Sequence, residues 1–530
     1  CFYPRARSAA QAADIIVTNH SLLFTDAKAE HRILPAYGRL IVDEAHHFEE
    51  TASQHLGEEV SYHSLAGALA ALNAQLPLLA ELLERAGEPW AAEAAAKIKA
   101  LQPDAAALKD AWDELFNALY DRFAAPQAAS QNPGEGGSFS VRLRTPGQRQ
   151  AWEAVLQMED NLHVRLGEML RVLDRVVAEG KEQADEYALE SLLTDLAGTA
   201  KDLHRVRDAV RALIREEDEN RVYWMEAAPQ YRAKSIRLYG APIDVSAPLR
   251  EIFWERKEAV VMTSATLTVE KSFQYVKSQL GFTEEDEAQE RLQTLLLPSP
   301  FRYREQALVL IPRDFPSLKK SAGAEEEFLS RLVESLRDAA LVTNGRMLVL
   351  FTSYKMLKQA HGPLKEALLP RGIQVYGQGV DSGNRSKLTR LFMQAGAAVL
   401  LGTSSFWEGV DIPGEALTCL AIVRLPFQPP NHPLVEAKSE WLKARKMNPF
   451  AKLSVPQAVI RFKQGFGRLV RTERDRGIVL IYDTRGIETP YGKHFLYSLP
   501  GPKMEHLPCG LIPQRMREWL CGAPQGREAT

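Results

Sequence analysis

The chain reads as an α/β protein with two parallel-sheet domains, the first incomplete, and an inserted all-helical domain. Three observations predict this class. Short apolar runs at residues 40–43, 260–262, 347–351, 398–402, 417–423 and 478–482 have the length of buried strands rather than of helices. Helical stretches at 325–340, 385–394 and 455–470 separate the later runs, and strand–helix alternation makes a parallel sheet covered on both faces. Between about residues 60 and 220 the chain turns to Ala, Leu, Glu and Arg, with apolar residues at helical spacing over 65–83 and 152–177.

In chain order, a polar start leads into the β-run Ile15-Ile16-Val17 and then Asn19 and His20. Residues 1–59 are expected to form part of the first sheet domain, with a buried strand over 40–43. Residues 60–220 are the helical insertion, broken by a flexible loop at Asn132-Pro133-Gly134-Glu135-Gly136-Gly137. Residues 221–299 return to the first sheet domain and 300–530 form the second. Loops at the carboxyl ends of their strands are where ligands belong.

Composition narrows the function classes. With 530 residues, 45% hydrophobic and 25% charged, the chain can bury several cores. A net charge of −3 excludes a histone-like polycation but leaves room for a nucleic-acid groove, which needs only local positive charge. No apolar stretch approaches the ~20 residues of a membrane span, and the start does not resemble a signal peptide. A soluble cytoplasmic protein with no membrane partner is expected. Cys1, Cys419, Cys509 and Cys521 are too scattered for a disulfide framework. The chain begins at Cys1, without Met and already within a series of motifs, so it is expected to be the C-terminal portion of a longer protein.

The chemistry starts at Leu40-Ile41-Val42-Asp43-Glu44-Ala45-His46. A carboxylate at a strand end, Asp43, suits Mg2+ held through its water shell. Its neighbour Glu44 can orient or deprotonate an attacking water, which is the positioning that phosphoryl transfer requires. The plain alternative is an acidic helix start. The order of later segments favours chemistry: Thr263-Ser264-Ala265-Thr266-Leu267, then Gly402-Thr403-Ser404-Ser405-Phe406-Trp407-Glu408-Gly409-Val410-Asp411, then Gln464-Gly465-Phe466-Gly467-Arg468-Leu469-Val470-Arg471. These read as motifs II, III, V and VI of a nucleotide-driven helicase.

Within that series, Ser264 and Thr266 are hydroxyls at the nucleotide site that can switch hydrogen-bond partners, with His46 as their link to Asp43 and Glu44. The alternative is an ordinary strand-to-turn segment. Arg468 and Arg471 lie three apart and Gln464 four before Arg468, so on one helix they share a face that could reach a γ-phosphate. The competing reading is a solvated basic helix end, since Arg461, Lys463, Arg474 and Arg476 crowd the same region. Gly465 and Gly467 argue for a close approach, because glycine costs about 1 kcal/mol inside a helix.

Gly409 and Asp411 are expected near the ribose. Thr403, Ser404, Thr352 and Ser353 are candidate donors to strand phosphates, joined by Asn19 and His20 near the start. Trp407 is either a stacking platform for a base or a core side chain. Phosphate contacts position a strand without reading it, so no sequence specificity is implied. A P-loop, G-x-x-x-x-G-K-[ST], occurs nowhere in the 530 residues; Gly486 to Gly492-Lys493-His494 has the wrong spacing and reads as a surface turn.

Taken together, Cys1-Phe2-Tyr3, the segment from Ala12 to Leu23, the Asp43-Glu44-Ala45-His46 box of DEAH type, the helical insertion and motifs III, V and VI resemble the DinG/XPD-like group of superfamily two DNA helicases, closest to its bacterial DinG-like branch. The form from Phe406 to Asp411 is the most group-specific piece. The resemblance implies two RecA-like motor domains with an Arch-like insertion, ATP and Mg2+ as cofactors, and 5′–3′ unwinding of single-stranded and forked DNA in repair or replication. Many members of the group also carry a four-cysteine iron–sulfur domain, so the resemblance implies a 4Fe-4S cluster in the full-length protein, with Cys1 matching its last ligand and three partners expected before Cys1; an ordinary cysteine in a branch without the cluster is the alternative. An RNA helicase would share the motifs, whereas a non-catalytic nucleic-acid-binding fragment would not need Glu44, Gln464 and Arg468. Protein partners are not implied. Lacking the P-loop, the 530 residues alone are expected to be inactive and to expose apolar sheet surface.

Overall fold

The computed structural model describes residues 2–126, 139–143, 149–183, 187–317, 323–407, 412 and 414–522. Cys1, the loop at 132–137, Gly409 and Asp411 lie outside the described residues. Along the chain run β1 (Arg39–Val42), β2 (Glu58–Ser61), β3 (Phe139–Arg142), β4 (Arg221–Ala227), β5 (Arg237–Pro242), β6 (Ala259–Met262), β7 (Ala307–Pro312), β8 (Met347–Leu350), β9 (Gln374–Gly377), β10 (Ala398–Gly402), β11 (Cys419–Ile422), β12 (Gly477–Ile481) and β13 (Lys503–Leu507). The chain divides into two compact units.

The first unit holds Cys1–Tyr37, Phe48–Ala247 and Pro430–Trp441. Long helices Tyr62–Ala86, Pro89–Leu119, Arg149–Gln183 and Tyr187–Arg215 bury leucine stripes, among them Leu65, Leu72, Leu76, Leu170 and Leu203, in one core. Contrary to the expectation of an all-helical insertion, strands join its helices. An antiparallel sheet of order β2-β5-β4-β3 packs with the helices, so residues 221–242 pair with the insertion and not with the first motor sheet. The reason they escape pattern reading is local: Val222, Tyr223, Trp224 and Met225 are all buried, which removes the alternation that marks a half-exposed strand. Against expectation, the helix Tyr62–Ala86 is long and apolar enough to cross a membrane by length and composition; its leucines face the helical core.

Ile15-Ile16-Val17 forms no strand. The run connects the helices Phe2–Gln11 and His20–Lys28 with Ile15 in a bend, Val17 is 93% exposed, and no strand among the described residues pairs with it.

The second unit holds Gly38–His47, Pro248–Pro429 and Leu442–Thr530. Here β1 pairs in parallel with β6, Ile41 opposite Val261. The strand at 40–43 is not buried as expected, since Ile41 is 75% exposed; this two-stranded piece leaves apolar surface open. The larger sheet is seven-stranded and wholly parallel, in the order β13-β7-β12-β11-β8-β10-β9. Its strands point alternate side chains into two cores, Met347 and Val349 into one and Leu348 and Leu350 into the other. Both faces are therefore covered, as a parallel sheet requires.

Candidate active site

The described residues of motifs II, III, V and VI fall in the second unit, and the sheet geometry explains how distant segments meet there. Parallel strands end together, so β1 and β6 deliver Asp43 and Thr263 side by side. The Ala45 amide donates to Thr263 O (3.0 Å) and the Thr263 amide to Val42 O (2.9 Å). Beyond Val42 the chain turns sharply: Glu44 takes a positive φ of 49°, a left-handed backbone that a non-glycine residue adopts at a cost and that gathers at functional sites. The Asp43 carboxylate steadies the turn by accepting from the Glu44 amide (2.9 Å). Both carboxylates remain exposed.

His46 sits at the centre of a hydrogen-bonded chain. The Gln464 side-chain amide donates to His46 Nε2, which leaves Nδ1 as the ring nitrogen that faces Ser264 and Glu44. Nδ1 donates to Ser264 Oγ (2.7 Å) and lies 3.3 Å from Glu44 Oε2. Ser264 Oγ reaches Glu44 Oε2 at 3.4 Å and accepts from the Thr266 amide (3.1 Å). Gln464, His46, Ser264 and Glu44 thus form one relay from three separated motifs. Gln464 is only 8% exposed.

The arginines are placed differently from expectation. The helix runs Val455–Phe466, so Arg468 and Arg471 lie on the turn and extended segment beyond it and do not share a helix face. Arg468 Nε donates to Trp407 O (3.1 Å). Asp475 organises the turn, accepting from the Arg471 and Thr472 amides (both 2.8 Å) and from Thr472 Oγ1 (2.9 Å). Burial pushes the Arg471 guanidinium down from its ordinary range, with Asp475 opposing.

Gly465 is explained by contact. A Cβ there would stand 2.7 Å from Trp407 Cε3 and 3.2 Å from Leu350 Cδ1. At Gly467 the nearest atom would be 3.4 Å away, so no close approach requires that glycine. Trp407 itself is 3% exposed, belongs to a core cluster and donates from Nε1 to Phe351 O (3.3 Å). It is a core side chain and not a stacking platform.

The remaining nucleic-acid candidates separate. Thr352 and Ser404 are exposed at the carboxyl ends of β8 and β10. Ser353 caps the helix Tyr354–Leu368. Thr403 is buried and turned inward: its amide (2.9 Å) and hydroxyl (3.0 Å) both donate to Gln378 Oε1. In the first unit, Asn19 Oδ1 accepts from the Leu22 amide (2.8 Å) as a helix cap, and His20 meets Phe48 edge-on at 5.7 Å.

Two participants were not foreseen. Gln378 follows β9, a strand that sequence reading missed; its amide also donates to Ser405 Oγ (2.8 Å). Lys463, noted only as part of a basic crowd, donates to Thr268 O (2.8 Å). Burial lowers its ammonium to about 8. Its position next to Gln464 was the available signal.

The donor set suits a magnesium nucleotide in part. Asp43 and Glu44 are adjacent exposed carboxylates at a parallel strand end, the place where such a site presents acid oxygens. The iron–sulfur expectation rests on Cys1, which lies outside the described residues; Cys419 is buried in the sheet core with its thiol pushed up.

A family model described as the helicase C-terminal domain matches residues 336–501. The chain is 33% identical over 508 residues to the "3'-5' exonuclease DinG" of Bacillus subtilis, covering 94% of this chain and 53% of that protein. It is 30% identical over 504 residues to the "ATP-dependent DNA helicase YoaA" of Escherichia coli, covering 94% of this chain and 69% of that one. It therefore spans about half the length of the first relative and about two thirds of the second. In fold it is similar to a solved structure titled "XPD_Helicase", with a TM-score of 0.53 at 15% identity over 96% of this chain and 75% of that one.

Proposed function

We propose, for a chain that belongs to the DinG/YoaA family of ATP-dependent helicases, that it supplies the water-activating and coupling residues of an ATP-driven motor on DNA. The observation that carries this reading is the relay from Gln464 through His46 and Ser264 to Glu44. Glu44 orients the attacking water and accepts its proton. Asp43 would hold Mg2+ through coordinated water, and that ion supplies charge neutralisation for the phosphates. The His46 ring fixes Ser264 beside Glu44, so a displacement of Gln464 changes the base that activates water. Arg468 and Arg471 lie just beyond Gln464 and would stabilise charge on the transferring phosphoryl group.

Single-stranded and forked DNA is the proposed track, with 5′–3′ movement and a role in repair or replication. Exposed Thr352 and Ser404 at strand ends support phosphate contact. The work is placed in the cytoplasm, which agrees with free Cys419, Cys509 and Cys521.

The test is ATP hydrolysis by the full-length protein. Saturating single-stranded DNA should stimulate it more than RNA does, and Glu44→Gln should lower turnover by roughly 10² or more while ATP affinity stays within a few-fold. Unchanged turnover in Glu44→Gln would overturn the assignment; stimulation by RNA alone would identify an RNA motor.

A further inference from the structure

The stretch after Ser264 carries features that the relay does not use. Thr266 and Thr268 are buried. Val269 and Ser272 then close a hairpin turn, with the Val269 amide donating to Ser272 O (3.1 Å) and the Ser272 amide to Val269 O (2.9 Å). Its two central residues, Glu270 and Lys271, have φ values of 49° and 65°. A tight turn with positive φ at both central positions ordinarily takes Asn and Gly. Here two long charged residues adopt it, and such strain persists only where the surroundings over-determine it.

The surroundings do so from the helices packed on the seven-stranded sheet. The Glu270 amide donates to Ser498 Oγ (2.9 Å), and His494 Nδ1 is 2.9 Å from Glu270 Oε2. Val269 packs against the core cluster that contains Phe462 and Phe466. Lys463 completes the attachment by donating to Thr268 O (2.8 Å), with Thr268 Oγ1 at 3.4 Å. Holding an ammonium in a partly buried place on a carbonyl and a hydroxyl is a costly way to gain stability. It does, however, lock the neighbour of Gln464 to a residue four beyond Ser264.

We infer that Lys463 and the Glu270 turn, held by Ser498 and His494, are positioning residues of the hydrolysis site that keep Ser264 and His46 in register with Gln464. The inference rests on the reading of the site as an ATPase. Without the strap, the segment from Ser264 to Thr268 and the helix Val455–Phe466 can slide, and the relay loses its alignment while every member of it remains present. A misplacement of about 1 Å can cost roughly 10² in rate.

The test uses the full-length protein with saturating single-stranded DNA. Lys463→Met and Glu270→Gln should each lower kcat for ATP at least about 10-fold with KM within about 3-fold, and Lys463→Arg should recover most of the loss. Because the strap acts through Ser264, each variant should add under about 2-fold in a Ser264→Ala background, a non-additivity that a general loss of stability would not produce. Wild-type turnover in both variants, or losses that multiply fully in Ser264→Ala, would overturn the inference. Should Lys463→Met fail to fold, Ser498→Ala and Glu270→Gln, which alter only the turn's attachment, decide by the same comparison. A wild-type protein without DNA-stimulated hydrolysis would instead remove the ATPase reading, so the two failures are distinguishable.

Discussion

Gly465→Ala tests how tightly the relay depends on helix position. A Cβ at 465 would meet Trp407 Cε3 at 2.7 Å and Cζ3 at 2.9 Å, whereas ordinary contact begins at 3.4 Å. Something must move by about 0.7 Å, the difference between 3.4 and 2.7. Trp407 cannot yield easily: its ring is buried in the core and its Nε1 is held by Phe351 O. The helix must therefore shift, carrying Gln464 away from His46. Overpacking of this kind costs about 1–3 kcal/mol, and replacing a helical glycine by alanine returns about 1 kcal/mol, leaving a net loss of roughly 1 kcal/mol. The kinetic loss should be larger, since a displacement near 1 Å costs on the order of 10². Denaturant unfolding and DNA-stimulated ATPase of the full-length protein would measure the two effects separately. Gly467→Ala is the matched control, because its Cβ meets nothing nearer than 3.4 Å and its φ is −62°; it should be neutral or slightly stabilising. If Gly465→Ala hydrolyses ATP as fast as Gly467→Ala, the packing argument for Gln464 is wrong.

Arg468→Ala and Arg471→Ala should depress turnover far more than ADP affinity, since the lost contact would be to the transferring phosphoryl group; equal losses in both would indicate a role in holding the Trp407 and Asp475 turns. Trp407→Ala should cost about 3–5 kcal/mol in unfolding free energy as a core truncation, and a variant that instead unfolds normally but loses DNA affinity would restore the stacking role. Lys463 predicts a pH effect: its ammonium titrates near 8 when folded against 10.5 when free, so between those values the unfolded chain binds more protons and stability rises with pH. The melting temperature of wild type should therefore gain on that of Lys463→Met as pH rises from about 8 toward 10.5, and a constant difference would show the ammonium is not buried in solution.

Strand ends were legible in the sequence and long-range geometry was not. The strand at 398–402 reads correctly because its five apolar residues are buried on both faces, and Asp43 and Glu44 are recognisable because strand-end carboxylates follow at once. By contrast, β9 and β13 were missed because they are the two edges of the seven-stranded sheet, where polar residues such as Lys503, Glu505 and Gln374 are tolerated and even favoured. That account does not extend to β7, whose six residues are all buried; its apolar run was readable and was overlooked.

The helix around Gln464 shows why spacing alone misplaces candidate site residues. Leu469 and Val470 continue the apolar rhythm of Val459, Phe462 and Phe466, so a periodic pattern carries the helix on to residue 470. In the structure those two side chains are buried from a turn, which satisfies the same hydrophobic requirement with a different backbone. Burial is what the pattern reports, and a helix is only one way to achieve it. The arginines therefore leave the helix face, while Gln464, still within it, finds His46 across 418 residues of sequence. No local propensity encodes that pairing. It depends on β1 and β6 pairing in parallel to bring motifs II and III together, and on Trp407 filling the space where Gly465 has no side chain, so that the helix can seat at the depth Gln464 needs. The functional geometry thus rests on a core contact, which is why a methyl group at residue 465 is expected to act on turnover more strongly than on stability.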